Sequence, residues 1–252
     1  MDDVIAGRNP VREALLAGRP INKVMMAFGG ESGALQEIFS LARDKNIPVQ
    51  RVERRHLAKF APEVAHQGVV ALAAARAYVE LEDILESIPA GIDPFLLLLD
   101  EINDPHNLGA ILRTADAAGV HGVVIPRRRA APLTPVVVKA SAGAALYVPV
   151  ARVANIVSTI ETLKKKGLWV AGADAGATGH VWDADLSGSL ALVIGGEDKG
   201  LGRLVKEHCD ILLSLPMAGR VGTLNASVAA ALFTFEVVWQ RRKALNERLS
   251  RR

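Results

Sequence analysis

The stretch "FLLLLDEINDPHNLGAILRTADAAGVHGVVIP", Phe95 to Pro126, decides how this chain is read. An apolar run of strand length gives way to Pro105, Asn107 and Gly109. A segment with helical spacing follows, and then a second apolar run. Strand, turn, helix, strand is the grammar of an α/β protein. Folding does not explain one feature. Asn107, Gly109 and Arg113 stand at N-x-G-x-x-x-R spacing, which puts an arginine inside the helix and an asparagine at its mouth.

The same grammar continues downstream. "GVVIP", "LYVPV", "LWVAGA", "LALVIGG" and "ILLSLP" read as strands. "TPVVVKASAGA", "NIVSTIETLKKKG" and "GLGRLVKEHC" read as helices, and a long last helix runs from Asn225 past Trp239. Continuously apolar strands are buried on both faces, so we expect a mostly parallel sheet with helices on both faces. Upstream, to about Ala75, lies a smaller α/β unit. It has a helix "NPVREALLAG" stopped by Gly18, a strand "KVMMAF", a helix "SGALQEIFSLARDKN", and strands "IPVQRV" and "HQGVVALAAA". Between the two, "RAYVELEDILESIPAGIDP" reads as a linker with one short helix. The expected organisation is residues 1–75, a linker 76–94, and residues 95–252.

With 252 residues, half of them hydrophobic, the chain can bury a sizeable core and is not a disordered polymer. Aromatics make up 4%, which suits helices on a sheet better than a sandwich. No apolar run reaches bilayer length, and the first residues lack a signal-peptide core. The single cysteine, Cys209, excludes an internal disulfide framework and a cysteine metal cluster. A cytoplasmic protein without metal is expected. The net charge is only +3, but the basic residues are clustered: Arg51–Arg55, Pro126–Pro132, Lys164–Gly167 and the C-terminal "WQRRKALNERLSRR". Such clusters neutralise phosphates, and four of them make RNA or DNA a serious partner.

Ligands of open α/β sheets sit beyond the carboxyl ends of the strands. Three glycine-bearing turns qualify: the one after Phe95–Leu99, "GGEDKGLG" after "LALVI", and "PMAGRVGTLNASVAAAL" after "ILLSL". "GGEDKGLG" lacks the G-x-G-x-x-G order of a dinucleotide site. It also sets Glu197 and Asp198 where a pyrophosphate would come, and two carboxylates there repel phosphate. A ligand with a positive centre and an adenosine fits better. Glycine turns bring backbone close to an adenine edge and a ribose, and Leu215, Met217 and Leu224 can wall the ring. S-adenosylmethionine has these properties.

Taken together, "NDPHNLGAILRTADAAG", "LALVIGGEDKGL" and "LPMAGRVGTLNASVAAAL" resemble the three signature motifs of the SPOUT superfamily, TrmH family. "GRNPVREAL", "HQGVVA", "ADAAGVHGVVIP" and "KEHC" extend the similarity over nearly the whole chain, toward the bacterial 23S rRNA guanosine-2′-O-methyltransferases. The resemblance implies a deep trefoil knot in the C-terminal part and a small N-terminal domain that grips RNA. It also implies S-adenosylmethionine as cofactor and a homodimer. By its motifs, Asn107, Arg113, Glu197, Asn225 and Ser227 are the expected catalytic positions. Gly195, Gly196, Gly200, Leu215, Met217, Leu224 and Asn225 are the expected cofactor contacts.

Each residue also has a plainer reading. Asn107 is placed to cap its helix, and Asn225 and Ser227 to cap the last one. Glu197 can be a solvated turn residue or can orient Asn107 or Arg113. Arg113 can simply pair with Asp116 or Asp104. If Arg113 works on the reaction, it does so by gripping phosphate and stabilising a 2′-alkoxide, since a guanidinium holds its proton in proteins. The chain departs from the family's usual third motif in having Thr223 for serine, Gly222 for serine or glutamate, and Ala226 for valine. The last helix carries Val228, Leu232, Phe233, Phe235, Val237, Val238 and Trp239. That is more apolar surface than one core-facing helix needs, which suits a helix shared with a partner subunit. A tRNA ribose methyltransferase and a non-catalytic RNA-binding protein on the same fold are the alternatives.

Overall fold

A computed structural model describes residues 4–29, 33–62, 65–197, 199–220 and 222–250. The chain forms two compact units: Met1–Ala77 with Pro132–Val138, and Tyr78–Ala131 with Lys139–Arg252.

In the first unit, β1 (Val4–Ala6), α1 (Arg8–Leu16), β2 (Ile21–Ala27), α2 (Gly33–Asp44), β3 (Val49–Val52), α3 (Arg54–Phe60) and β4 (Val69–Ala73) follow in order. The sheet runs β1-β4-β2-β3, with β4 antiparallel to both neighbours and β3 parallel to β2. Gly18, at φ +68°, ends the turn after α1, where its N–H donates to the Leu15 carbonyl. The two-residue alternation of β2 builds two cores. Val24 and Met26 pack with Val11, Leu15, Leu35 and Ile38, while Met25 and Ala27 pack with Leu57 and Val70. The sequence reading did not anticipate α3. Its seven residues bury only Leu57, so no apolar periodicity marks it. Buried Asn22 is satisfied by the carbonyls of Ala73 and Leu133, at 3.1 and 3.0 Å.

The chain continues with α4 (Leu81–Glu86), β5 (Phe95–Asp100), α5 (Pro105–Ala117), β6 (Gly122–Pro126), α6 (Pro135–Ala140), β7 (Val150–Val153), α7 (Ile156–Lys165), β8 (Trp169–Ala173), β9 (Gly179–His180), β10 (Leu190–Gly195), α8 (Arg203–His208), β11 (Ile211–Ser214) and α9 (Ala226–Ser250); all of these belong to the second unit except the first four residues of α6, which fall in the first. The second unit's sheet order is β7-β6-β5-β10-β8-β11-β9, and every recorded pairing is parallel. One face, with Leu96, Leu98, Val124, Val170, Ala191 and Val193, is covered by α4, α7 and α8. By alternation, Leu97 and Leu99 face the other side. There α9 packs on β10 and α5 packs on α9.

Three details differ from the sequence reading. The stretch read as a linker carries the expected short helix, α4, but its Leu81 and Ile84 are buried in this unit's core. The strand expected over "LYVPV" begins only at Val150; Ala144–Leu146 is a 3-10 turn and Tyr147 is exposed. Pro149 has no N–H to offer a ladder, so the strand starts after it. Finally, Asp104 caps α5 in place of Asn107, with its Oδ1 accepting from the His106 N–H at 2.8 Å and Pro105 at the first helical position.

α9 is apolar on two sides. Ala226, Ala230, Phe233 and Val237 are buried, at the spacing of one helical stripe. Val228, Leu232, Phe235 and Trp239 form a second stripe at the same spacing, and they are 46–58% exposed. Further along, Arg241 reaches the carbonyls of Asp93, Pro94 and Gly188 at 3.0, 2.8 and 2.6 Å and lies over the Phe95 ring. Gln240 bonds the backbone of Ala184 and Leu186. These contacts pin the helix to the turns that lead into β5 and β10.

Candidate functional site

Because the sheet is parallel, the turns after β5, β8, β10 and β11 emerge at one edge. The turn after β10 folds back tightly. A Cβ on Gly195 would fall 2.2 Å from the Gly200 backbone, and one on Gly196 would fall 2.6 Å from the Glu101 carbonyl oxygen. Only glycine allows both approaches. Asp100, at the end of β5, locks this turn by accepting from the Gly202 N–H at 2.9 Å; its burial pushes the carboxyl pKa up.

Three polar side chains meet where the turns converge. Asn107 Nδ2 donates to Glu197 Oε1 in a short contact. Asn225 Nδ2 donates to the same oxygen at 2.6 Å and to Asn107 Oδ1 at 3.1 Å. One carboxylate oxygen thus gathers residues 107, 197 and 225 from three turns. The remaining oxygen of Asn225 starts α9. Its Oδ1 accepts from the Ser227 N–H at 2.9 Å and the Ser227 hydroxyl at 2.6 Å. Asn225 therefore caps the helix and joins the cluster, whereas the Ser227 hydroxyl is engaged in the cap. Glu197 orients Asn107, as one reading held, but does not pair with Arg113. Asp198 lies outside the described residues.

Two cavities adjoin this cluster. The first, of about 270 Å³, is walled by Ile194, Leu213, Leu215, Met217, Leu224 and Phe233, with Gly195, Gly196 and Gly200 along the β10 turn. All the expected cofactor contacts except Asn225 line it, and so does Glu197. The second, of about 300 Å³ and polar, lies between Glu101–Asp104, Asn107 and the same β10 turn. Lys199 borders both. The first cavity suits S-adenosylmethionine in its chemistry. Apolar walls meet a flat adenine, close backbone meets its edge, and a carboxylate stands where a cation would sit.

Arg113 is elsewhere. It is exposed, makes no hydrogen bond or ion pair among the described residues, and lines neither cavity. The pairings with Asp104 or Asp116 are not formed. It stands six positions after Asn107 on the helix, about 9 Å along the axis and roughly 240° around it, so the two lie on different faces.

The sequence reading missed the fourth turn, "DAGAT" after β8. Asp174, its first residue, lines the first cavity and pairs with Lys206 at 2.9 Å. The strand-end rule applied to β8 would have found it. Among the described residues, no three His, Cys, Asp or Glu side chains form a group that could hold a metal ion.

A parallel α/β sheet with an adenosine-sized cleft at its carboxyl edge, and a carboxylate–amide cluster at the cleft's mouth, defines the class. The comparisons place the chain within it. Residues 94–235 match the SpoU rRNA methylase family, and residues 4–79 match the RNA 2′-O ribose methyltransferase substrate-binding domain. YacO of Bacillus subtilis, assigned to the TrmH family of tRNA/rRNA methyltransferases, is 49% identical over 240 residues, covering 95% of this chain and 96% of its own. The crystal structure of the SpoU methyltransferase AviRb from Streptomyces viridochromogenes, solved with AdoMet bound, superposes with TM-score 0.61 at 26% identity, covering 95% of this chain and 90% of that one. A solved structure described by 2′-OH methylation of C/U34 on tRNA covers 59% of this chain and 96% of its own, with TM-score 0.54 and 26% identity. The chain belongs to the SpoU rRNA methylase family and is an RNA methyltransferase of the TrmH/SpoU type.

Proposed function

We propose that the protein is a cytoplasmic homodimer that uses S-adenosylmethionine to methylate the ribose 2′-hydroxyl of a guanosine in 23S ribosomal RNA. The observation that carries this reading is the cluster of Asn107, Glu197 and Asn225 between an apolar cavity suited to the cofactor and a polar cavity suited to a nucleotide. S-adenosylmethionine, when bound, supplies an electrophilic methyl group on a sulfonium. The chain's part is to hold the 2′-oxygen in line with that methyl and to stabilise its developing charge. Asn107, Glu197 and Asn225 hold the three turns in one geometry, and Ser227 secures Asn225. Arg113 grips the RNA phosphate and stabilises the alkoxide.

Arg113 lines neither cavity of its own chain, so the reading gives this role to Arg113 of a second copy. The exposed stripe of Val228, Leu232, Phe235 and Trp239 supports a dimer, because monomeric surfaces seldom leave so contiguous an apolar face uncovered. A cleft of about 530 Å³ runs beside it, lined by Trp182, Leu232 and Phe235, and by Leu215, Met217 and Leu224, which also wall the first cavity. A partner seated there would border the cofactor site directly. The family's trefoil knot belongs to the same reading. It is supported by β10, late in the chain, lying between β5 and β8.

The first unit supplies RNA affinity. Its groove of about 570 Å³ is lined by Gln50, Val52, Glu53, Arg55, His56 and Lys59; Glu53 pairs with Arg55, and Lys59 with the His56 ring supplies a cation and a stacking face that suit unpaired RNA. The match of residues 4–79 to a substrate-binding domain supports an RNA substrate, and the match of residues 94–235 to the SpoU rRNA methylase family supports ribosomal RNA. The relatives described by tRNA keep tRNA as the second substrate, and an RNA-binding protein without activity is the third reading.

Tritiated S-adenosylmethionine offered with unmodified 23S RNA and with bulk tRNA separates these. Label at an alkali-resistant position of 23S RNA is expected. Label on tRNA alone transfers the substrate to tRNA, and label on neither removes the enzyme.

A further inference from the structure

We propose that Asp174 is the residue that receives the ribose diol of S-adenosylmethionine. The inference rests on the cofactor of the proposed function and is independent of which RNA is methylated.

Asp174 is the first residue beyond β8, at the edge where parallel sheets bind ligands. Its backbone N–H donates to the Leu213 carbonyl at 2.9 Å, so the residue is tied to the neighbouring strand β11. The side chain is 16% exposed and is held by one oxygen only. Oδ1 accepts from Lys206 Nζ at 2.9 Å and from the Gly176 N–H at 3.4 Å. Oδ2 makes no hydrogen bond among the described residues. A fixed carboxylate with a free acceptor oxygen therefore borders the cavity.

The other polar side chains of the cavity are less available. Glu197 is likewise held by one oxygen, at the cluster with Asn107 and Asn225, but it has no ion-pair partner among the described residues, so its uncompensated charge suits a cationic group better than a neutral diol. The Ser214 hydroxyl donates to the Gly179 carbonyl at 3.1 Å, which leaves it as acceptor for His180 Nδ1 at 3.1 Å. Lys199 is a cation and cannot accept. Thr223 sits on the exposed turn after β11.

The cofactor has three groups that a carboxylate could take: the α-ammonium, the adenine amino group and the two ribose hydroxyls. Lys206 already balances the charge of Asp174, so the pair holds little net attraction for a second cation. The adenine amino group is flanked by ring nitrogens that are themselves acceptors, which a carboxylate repels and backbone N–H groups suit. The vicinal hydroxyls are neutral and can both donate, and a carboxylate with an open oxygen meets them without a competing charge.

The test is calorimetric and needs no turnover. S-adenosylhomocysteine, its 2′,3′-dideoxy analogue and its desamino analogue are titrated into the full-length protein and into Asp174→Asn. The wild type is expected to bind the dideoxy analogue about tenfold or more weakly than S-adenosylhomocysteine. Asp174→Asn should bind S-adenosylhomocysteine with a similar loss and no longer discriminate between the two. Equal wild-type affinity for S-adenosylhomocysteine and its dideoxy analogue overturns the assignment, whatever the variant does. So does an Asp174→Asn variant that discriminates against the dideoxy analogue as the wild type does. Loss of discrimination only against the desamino analogue moves Asp174 to the ammonium and overturns it too. If the wild type binds none of the three, the cofactor reading itself falls.

Discussion

Two positions on α5 make an instructive pair. Asn107, in its first turn, is buried and bonded to side chains from the turns after β10 and β11. Arg113, nearly two turns on, is exposed, has no partner among the described residues and lies outside both cavities. Both belong to one sequence motif, yet only one belongs to the site that a single chain builds. A motif spaced along a helix need not converge on one spot, because a residue six positions on faces elsewhere. The proposed function resolves this by letting the two residues serve the sites of two different subunits.

The sharpest way to break that contrast is Arg113→Ala. Methylation of RNA should fall about 100-fold or more, while S-adenosylhomocysteine affinity measured by calorimetry stays within about twofold. An equal fall in both would place Arg113 at the cofactor and dissolve the contrast. Mixing Arg113→Ala with Asn225→Ala subunits sharpens it further. Exchange between subunits should restore about a quarter of wild-type activity, since half the dimers are mixed and each mixed dimer has one intact site. No recovery would show that Arg113 acts within its own chain. Leu232→Glu combined with Phe235→Glu should convert a dimer into a monomer by light scattering and carry activity down with it. Activity retained in a monomer would count against a shared site.

Smaller effects probe the Asn107 end. Asn225→Ala removes the α9 cap and two bonds of the cluster, so thermal unfolding should show a loss on the order of 1 kcal/mol from the cap alone. A matching loss from Arg113→Ala would erase the difference between the two positions. Cys209 serves as a monitor of the fold. Burial pushes its thiol up to about 12, with Asp210 adding to the shift. At pH 8 only on the order of one thiol in ten thousand is then ionised. Native wild type and Arg113→Ala should both resist an aromatic disulfide reagent and react after denaturation. Rapid native labelling of the variant alone would trace its loss of activity to misfolding.

Most of the fold was legible in the residues. The apolar runs from Phe95, Gly122, Trp169, Leu190 and Ile211 are strands, because burial on both faces leaves no polar alternation to disguise them. Short elements escaped. α3 buries one leucine, β1 has three residues, and Pro149 delays β7 past the run that suggested it. In the site, Gly195, Gly196, Gly200, Leu215, Met217 and Leu224, expected from the glycine turns as cofactor contacts, line one cavity, since close backbone approach requires a residue type that the sequence reveals. Asp174 escaped because one aspartate after a strand carries no motif.

The sequence alone determined which segments become strands and helices and which three turns hold the unusual residues, because periodicity and glycine are local properties. Only the tertiary structure decided that a single oxygen of Glu197 holds Asn107 and Asn225 together and that Asp104, not Asn107, caps α5. It also decided that Asp174 joins the cavity and that Arg113 stays outside it. Those are matters of which strand ends lie side by side and which helix face is covered, and the chain settles both only when distant segments pack.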